Sequence, residues 1–347
     1  SDVCSSDLSL WYQFIITCRN NRVVMKKSWL SALLLAGYLS IPTQALAQPQ
    51  IGNAEALLQK MGNTTQTATY ELSFININSQ GIVPIRYRHA LVDGKPVAQL
   101  MQMDSTRREI VQRGNEISYF EPGLDAFSLR NEHIVDYLPA IIYQNFAELA
   151  EYYNFIDAGR THIGDIPSRV VRVLSKNNDR YEYVLFIDEE RYLPLRVDLL
   201  DKNNDVIEQF RVITANQNKE IISELDSLNK VNMPPLLLIP KATQALNYNW
   251  RVTTLPEGFK EVKRSNHQIA ENEFSQSILY SDGLFDFSIY VNKSGQQLNS
   301  PERDKALRYG RNTIYTYDKD GNEITFIGQL PFITAQKIVN SVVFTKK

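Results

Sequence analysis

The stretch from Arg107 to Pro122 constrains the fold more than any other part of the chain. Gly114 and Asn115 stand between two half-apolar runs, and such a two-residue corner is a strong signal for a tight β-hairpin. The stretch therefore predicts two antiparallel strands.

The residues on either side of the corner also predict the register of the hairpin. If the corner closes it, four pairs of side chains face each other: Arg113 and Glu116, Gln112 and Ile117, Ile110 and Tyr119, and Arg108 and Glu121. Two of the pairs carry opposite charges, and each cross-strand pair contributes about 0.2–1 kcal/mol. A shift by one residue would turn the apolar side chains to the other face, so corner and pairing favour one register. We expect this hairpin to lie in the middle of a large antiparallel sheet.

The N-terminal part carries a pattern typical of a secretory signal peptide. A basic start at Met25–Lys27 precedes an apolar run of 11 residues from Trp29 to Leu39, and small residues Ala45 and Ala47 follow. We expect cleavage after Ala47. The alternative, an uncleaved anchor, is disfavoured because a membrane span needs about 20 apolar residues and polar Gln48–Gln50 follows directly. The mature protein is expected to be soluble.

Residues 1–24 precede the natural start of the signal at Met25, and we interpret them as a mis-assigned start or a sequencing artefact. Both cysteines, Cys4 and Cys18, fall in this extension, so the mature part is expected to be stabilised by packing without disulfides. Removal of residues 1–47 takes away four basic and two acidic residues and changes the net charge from −2 to −4. This charge gives no reason to expect binding to nucleic acid.

The mature chain begins with a helical pattern and continues with strands. Apolar residues at Ala54, Leu57, Leu58 and Met61 have helical spacing, and we expect Asn53 to cap this helix and Gly62 to end it. Alternating apolar and polar residues then predict about ten strands up to Ile213, interrupted at Leu138–Leu149 by a segment that covers one side of the sheet. An antiparallel sheet of this size twists and curls.

The predicted fold class is α+β, with a large curled antiparallel sheet, an incomplete β-barrel, around internal helices and a small C-terminal α+β domain. A polar stretch that runs into Pro234, Pro235 and Pro240 indicates a linker between the two. Five strands between Lys260 and Ile327 and one helix near Ala335 are expected in the small domain. The predicted boundaries are 1–24 for the extension, 25–47 for the signal peptide, 48–215 for the large domain, 216–245 for the linker and 246–347 for the small domain.

No motif for catalysis occurs in the mature sequence, which lacks Cys-x-x-Cys, His-Glu-x-x-His, a glycine-rich phosphate loop and a Gly-x-Ser-x-Gly elbow. Its four histidines, His89, His133, His162 and His267, are far apart and show no metal-ligand spacing. We therefore expect no enzyme activity, no cofactor and no metal site.

Aromatic residues are abundant in the first half of the predicted sheet. They form either a packed core or the wall of a cavity for an acyl chain, which needs apolar and aromatic sides with few polar contacts. Several arginines in the same region are either a solvated face or a site for phosphate groups, and a phosphorylated glycolipid would suit both features. The candidate lipid-binding residues are Leu72, Phe74, Tyr87, Met101, Ile110, Tyr119, Phe120, Phe127, Arg86 and Arg88.

Several segments resemble the RseB/MucB family of periplasmic sigma-E factor regulatory proteins. They are Tyr70-Glu71-Leu72-Ser73-Phe74, Tyr87-Arg88-His89-Ala90, Gln112 through Gly123, Leu193 through Asp201, Leu255-Pro256-Glu257-Gly258-Phe259 and Leu279 through Phe285. The resemblance covers about residues 50–345. It implies a periplasmic protein whose large domain is similar to the lipoprotein carriers LolA and LolB, a half-barrel joined to a smaller domain.

The resemblance also implies a function. Such proteins bind the periplasmic domain of the membrane-bound anti-sigma factor RseA, shield it from regulated proteolysis, and release it when mislocalised lipopolysaccharide binds. We expect the large domain to hold the lipid, and the small domain with the interdomain cleft to hold the partner. Candidate partner-binding residues are Tyr280, Leu284 and Phe285, for which a plain hairpin core is the alternative.

Two other functions stay open at this point, a lipoprotein or lipid carrier of the LolA/LolB type and a hydrolase. The additional small domain favours the regulator over the carrier, because a carrier needs only the half-barrel. The sequence also leaves open whether the protein forms a homo-oligomer.

Overall fold

The structure is a computed structural model that describes residues 51–104, 108–237, 246–270, 273–293 and 306–345. All the described residues belong to one compact unit. The extension of residues 1–24 and the signal peptide with its cleavage site after Ala47 lie outside the described residues, so both stay predictions. Within the described ranges, no helix combines the length and the apolar character that a membrane crossing requires.

Within the described residues, the large sheet contains eleven antiparallel strands. Their bounds are β1 Tyr70–Asn78, β2 Gly81–Val92, β3 Lys95–Gln102, β4 Glu109–Arg113, β5 Glu116–Phe120, β6 Phe127–Arg130, β7 Tyr153–Ile163, β8 Ile166–Ser175, β9 Glu182–Asp188, β10 Pro194–Leu200 and β11 Val206–Asn216. The order across the sheet is β6-β5-β4-β3-β2-β1-β11-β10-β9-β8-β7. Among the described strands, β6 and β7 end this order and do not pair with each other, so the curled sheet stays unclosed. The predicted incomplete barrel is confirmed.

The β4–β5 hairpin has the predicted register. Arg113 pairs with Glu116 and Ile110 with Tyr119, and the guanidinium of Arg108 forms an ion pair with Glu121. Its predicted position in the middle of the sheet is wrong, because β4 and β5 lie near the β6 edge. The centre is β1, which pairs with β2 on one side and with β11 on the other.

The inner face of the sheet packs against helices, as predicted. Helix α1 spans Ile51–Thr67, a 3₁₀ turn spans Ala140–Tyr143 and α2 spans Phe146–Leu149. The expected helix ends at Asn53 and Gly62 are wrong, because both residues lie inside α1. A Cβ atom on Gly62 would stand 3.4 Å from the Phe146 ring, so α1 lies close to α2 at this glycine.

The outer face is covered in part by the segment predicted as a linker. It contains α3, Glu220–Asp226, and a 3₁₀ turn at Ser227–Lys230. Ile221 and Leu225 of α3 pack against Ala90 and Val97 of β2 and β3. Farther along, the backbone of Ser128 in β6 bonds to the segment near Leu237. Residues 217–237 are therefore docked on the large sheet.

The described residues of the small domain form two sheets and one helix. Its elements are β12 Trp250–Val252, β13 Lys260–Ala270, β14 Glu273–Ser281, β15 Asp286–Lys293, β16 Ala306–Tyr309, β17 Asn312–Lys319, β18 Asn322–Gly328, α4 Phe332–Asn340 and β19 Val342–Phe344. Six strands pair in the order β13-β14-β15-β18-β17-β16, and β12 pairs with β19. The five predicted strands and the predicted helix are present, and the α+β class is confirmed.

Candidate functional site

Four of the candidate lipid-binding residues lie together on the inner face of the large sheet. Leu72, Phe74, Tyr87 and Ile110 are each at most 2% exposed and belong to one hydrophobic cluster. Leu72 pairs directly with Tyr87 across β1 and β2. Because α1 contributes to the same cluster, these side chains form a packed core.

Tyr119 and Phe127 lie on the same face, nearer the β6 edge. Their rings stack with centroids 5.1 Å apart, and the Tyr119 hydroxyl donates to Oδ2 of Asp136 at 3.0 Å. Burial and the Asp136 carboxylate raise the pKa of Tyr119, so it stays a neutral donor. Phe120 alternates to the outer face and lines a hollow of about 300 Å³ beside Leu124.

Arg86, Arg88 and Met101 lie on the outer face, because they alternate along β2 and β3 with the inner residues. Nε of Arg88 donates to Glu71 at 2.6 Å and its Nη2 lies 2.9 Å from a carboxylate oxygen of Glu224. Nη2 of Arg86 contacts the sulfur of Met101 at 3.2 Å. The arginines and the aromatic wall are thus on opposite faces and do not form one site.

A cavity of about 250 Å³ opens at the end of the inner face where α1 ends and β1 begins. It is lined by Thr65, Gln66, Thr67, Tyr87, His89, Leu91, Pro96, Gln112, His133 and Tyr143. Tyr87 is the one candidate lipid-binding residue in this lining. Nδ1 of His89 lies 2.8 Å from the carbonyl oxygen of Ala68, which only accepts, so Nδ1 carries the proton. The His133 ring stacks on Tyr143 with centroids 4.4 Å apart.

The lining of this two-histidine cavity is uncharged near neutral pH. Burial lowers the pKa of His89, the bond to Ala68 raises it in part, and the second histidine lowers it further. Burial also lowers the pKa of His133, which Glu132 partly offsets. Burial raises the pKa of Tyr87 to about 12. The cavity therefore presents rings and hydroxyl groups without a permanent charge.

A buried ion pair joins the large sheet to the small domain. Arg180, two residues before β9, and Asp282, directly after β14, are almost completely buried. Nε of Arg180 lies 2.7 Å from Oδ2 of Asp282. The hydroxyl of Tyr153 in β7 donates to the same oxygen at 2.6 Å. A second guanidinium nitrogen donates to the carbonyl oxygen of Glu257. Sequence patterns gave no sign of this cluster, apart from the Asp-Gly corner at Asp282.

A groove of about 370 Å³ runs along the same junction. The large domain contributes residues near Asp201 and the small domain contributes exposed apolar side chains, Leu307, Phe332 and Ile333. Nη1 of Arg308 lies 2.6 Å from Oδ2 of Asp201, so an ion pair bridges the groove. Exposed apolar residues between two domains are typical of a binding surface.

The candidate partner-binding residues Tyr280, Leu284 and Phe285 are buried, with at most 4% exposure. Tyr280 stacks on Phe287 inside the small domain, with ring centroids 5.1 Å apart. Phe285 instead stacks on Tyr183 of the large sheet, with centroids 5.6 Å apart. Their burial favours the alternative, a hairpin core, which extends here into the junction of the domains.

No group of three or more His, Cys, Asp or Glu side chains in the described part of the chain is arranged to hold a metal ion. The described histidines do not converge on one point either. His89 and His133 share a cavity, whereas His162 lies exposed on β7 and His267 on β13.

Known proteins match this chain along nearly its whole length. The model of the MucB/RseB N-terminal domain matches residues 53–237, and that of the MucB/RseB C-terminal domain matches residues 244–343. The sigma-E factor regulatory protein RseB of Escherichia coli strain K12 is 47% identical over 322 residues, which cover 92% of this chain and 99% of that protein. The chain belongs to the MucB/RseB family.

Other members of the MucB/RseB family agree with this assignment. RseB of Haemophilus influenzae is 38% identical and covers 88% of this chain and 96% of its own length. MucB solved in complex with MucA(peri) superposes with a TM-score of 0.63 at 20% identity, over 85% of this chain and 100% of that chain. Another structure of MucB gives a TM-score of 0.52 at 18% identity, over 85% of this chain and 99% of that chain. These structures share the fold, and the curated relatives are named as regulators of sigma factors.

Proposed function

We propose that this MucB/RseB family member is a periplasmic negative regulator of the sigma-E envelope stress response. It binds the periplasmic domain of the anti-sigma factor RseA, protects it from regulated proteolysis, and is released when mislocalised lipopolysaccharide or lipid binds. The observation that carries the proposal is the 47% identity to an RseB over 99% of that protein, across both domains.

The relative solved as a complex supports the choice of partner. MucB was solved together with MucA(peri), and this chain has the same fold. A regulator of this kind acts by non-covalent binding and needs no catalytic group, which agrees with a family named for regulation.

The junction groove is the surface we assign to the anti-sigma partner. Leu307, Phe332 and Ile333 offer exposed apolar area, and Asp201 and Arg308 provide polar contacts at the rim. Apolar anchors surrounded by a polar rim are the usual anatomy of a protein interface. Because both domains line the groove, a change at their junction would change the affinity for the partner.

Release by lipid requires thermodynamic linkage. A lipid can displace the partner only to the extent that it binds the partner-free conformation more tightly. The inner face of the large sheet offers the apolar wall for an acyl chain, with Tyr87 at the two-histidine cavity and Tyr119 and Phe127 nearer the edge. In this proposal the outer Arg86 and Arg88 are not ligands of the same lipid.

A capture experiment tests the proposal. Immobilised periplasmic domain of RseA is expected to retain the protein and to lose it when purified lipopolysaccharide is added. A protease that cleaves the free RseA domain should be slowed by the protein and should regain its rate with lipopolysaccharide. Absence of a complex would refute the regulator. A protein that binds lipid but never the RseA domain would instead be the alternative, a carrier of the LolA/LolB type.

A further inference from the structure

The turn Ser281–Phe285 of the small domain lies against the inner face of the large sheet. The Phe285 ring stacks on Tyr183 with centroids 5.6 Å apart and meets Tyr181 edge-on at 6.4 Å. Tyr183 pairs with Leu199, on the same face as the buried core residues of β10. An aromatic side chain of the small domain therefore occupies part of the wall that an acyl chain would need.

Asp282 holds this turn in place. Its Oδ1 accepts from the backbone N–H groups of Leu284 at 3.0 Å and Phe285 at 2.7 Å, which shapes the turn. Its Oδ2 accepts from the Tyr153 hydroxyl at 2.6 Å and from Nε of Arg180 at 2.7 Å, which ties the turn to the large domain. One carboxylate thus determines both the shape of the turn and its position.

Almost no space remains beneath the small domain at this wall. The gap between Tyr183, Phe210 and Arg311 measures about 10 Å³, near the lower limit for a single water molecule. At the tip of the turn, a Cβ atom on Gly283 would stand 3.4 Å from Oε1 of Gln144. The β9–β11 part of the inner face is closed while the turn is in place.

We propose that the turn Ser281–Phe285 is a removable plug of the half-barrel, and that an apolar chain reaches the β9–β10 wall only by displacing Leu284 and Phe285. This inference rests on the proposed function, because it names the way in which lipid and partner exclude each other. Displacement of the plug separates Asp282 from Arg180 and so disturbs the junction whose groove we assign to the partner.

The exchange is feasible because the competing contacts are of the same kind. The plug buries the phenyl ring of Phe285 against the rings of Tyr181 and Tyr183, and Leu284 is buried in the same hydrophobic cluster. An acyl chain would bury methylene groups against the same rings. Neither occupant needs a charge at the wall. The ion pair of Asp282 with Arg180 then determines how readily the plug is displaced, because displacement separates two buried opposite charges.

The test measures binding of 1-N-phenylnaphthylamine to the full chain. This apolar dye fluoresces when it enters an apolar site. Asp282→Ala removes the bonds of the plug to Arg180 and Tyr153 without removing apolar volume. We therefore expect severalfold tighter dye binding than in the wild type. The matched control is Thr334→Ala, because Thr334 also bonds across the junction, to the carbonyl oxygen of Asp179 at 2.7 Å, but lies outside the wall. This control should bind the dye like the wild type.

A second measurement keeps the test valid if Asp282→Ala does not fold. Hydrogen exchange at the amides of Leu284 and Phe285 in the wild type should become faster when the dye binds. Unchanged exchange at these amides, or equal dye binding by the wild type and the Asp282 variant, would overturn the plug. If the plug opens in these assays but the protein never captures the RseA domain, the proposed function fails and the plug stands.

Discussion

Nε of Arg180 lies 2.7 Å from Oδ2 of Asp282, and the two side chains are 1% and 0% exposed. The residues are 102 positions apart in the chain and belong to different domains. Burial of both charges is tolerated because further donors and acceptors surround them, including the Tyr153 hydroxyl. This buried ion pair joins the large sheet to the small domain, beside the more exposed pair of Arg308 with Asp201.

Replacement of Arg180 is predicted to destabilise the protein strongly. Arg180→Gln leaves the Asp282 carboxylate buried without its cation, which costs about 3–5 kcal/mol of unfolding free energy. Urea unfolding followed by circular dichroism measures this loss. The control is Arg160→Gln, because Arg160 also pairs with a carboxylate but its side chain is 72% exposed; it should change stability by at most about 1 kcal/mol. Equal losses in the two variants would contradict the role of the buried pair.

Replacement of Gly258 at the junction is predicted to destabilise the protein. Its φ is +87°, and a Cβ atom there would stand 2.7 Å from the Tyr152 ring. Gly258→Ala therefore adds a steric overlap to the strain of an alanine in the left-handed backbone region. It should lower the unfolding free energy by about 1–3 kcal/mol more than that strain alone. Gly123→Ala is the control, because Gly123 has φ +82° with no atom within 4 Å of its added Cβ. Thermal unfolding of both variants compares the two costs.

The junction groove is predicted to bind the anti-sigma partner through Ile333. This side chain is 65% exposed, so Ile333→Glu should weaken binding to the RseA periplasmic domain by tenfold or more while leaving the unfolding free energy within about 0.5 kcal/mol. Ile213→Glu, at a residue of similar exposure, 61%, on β11 of the large sheet, is the matched control. Calorimetric titration measures both affinities. The assignment of the groove fails if the two variants bind equally well.

Acid is predicted to destabilise the end of the large domain that holds the two-histidine cavity. Because burial lowers the pKa of His89 and of His133, the folded state binds fewer protons than the unfolded state. The contribution of the two histidines to the unfolding free energy is therefore complete above their pKa in the unfolded state, about 6.5. It is lost as the pH falls through their lowered pKa values in the folded state.

Variants at the histidines test this pH dependence. His89→Asn removes a buried proton acceptor, so its unfolding free energy should fall less than that of the wild type between about pH 7.5 and pH 5.5, where histidine changes charge. His162→Asn, at an exposed histidine of β7, should keep the response of the wild type. A response that is unchanged in the His89 variant would show that this cavity does not couple stability to pH.

Local signals predicted the strands well and their arrangement less well. The β4–β5 register follows from a corner and four pairs within a short stretch. Its position near the sheet edge depends on the pairing of β1 with β11, for example Phe74 with Val212, which no local pattern specifies. Gly62 does not end α1, because glycine only weakens a helix interior and the helix packs here beside the distant Phe146.

The candidate site shows the same division. Alternation along β1 puts Leu72 and Phe74 on one face, and the pairing of β1 with β2 adds Tyr87 to the same core. The alternation in β2 places Arg86 and Arg88 on the other face. Closeness in sequence therefore did not bring the arginines and the aromatic residues into one site for a phosphorylated lipid. Arg180 and Asp282 meet only through the packing of two domains, which residue patterns do not describe.

The proposed regulation depends on reciprocal coupling between the lipid and the anti-sigma partner. Calorimetry can measure the affinity for the RseA periplasmic domain with and without saturating lipopolysaccharide, and the affinity for lipopolysaccharide with and without the RseA domain. Linkage requires that each ligand weaken the binding of the other by the same factor. We predict equal factors of at least about tenfold, a coupling of about 1.4 kcal/mol or more. An RseA affinity that lipopolysaccharide leaves unchanged would contradict the account.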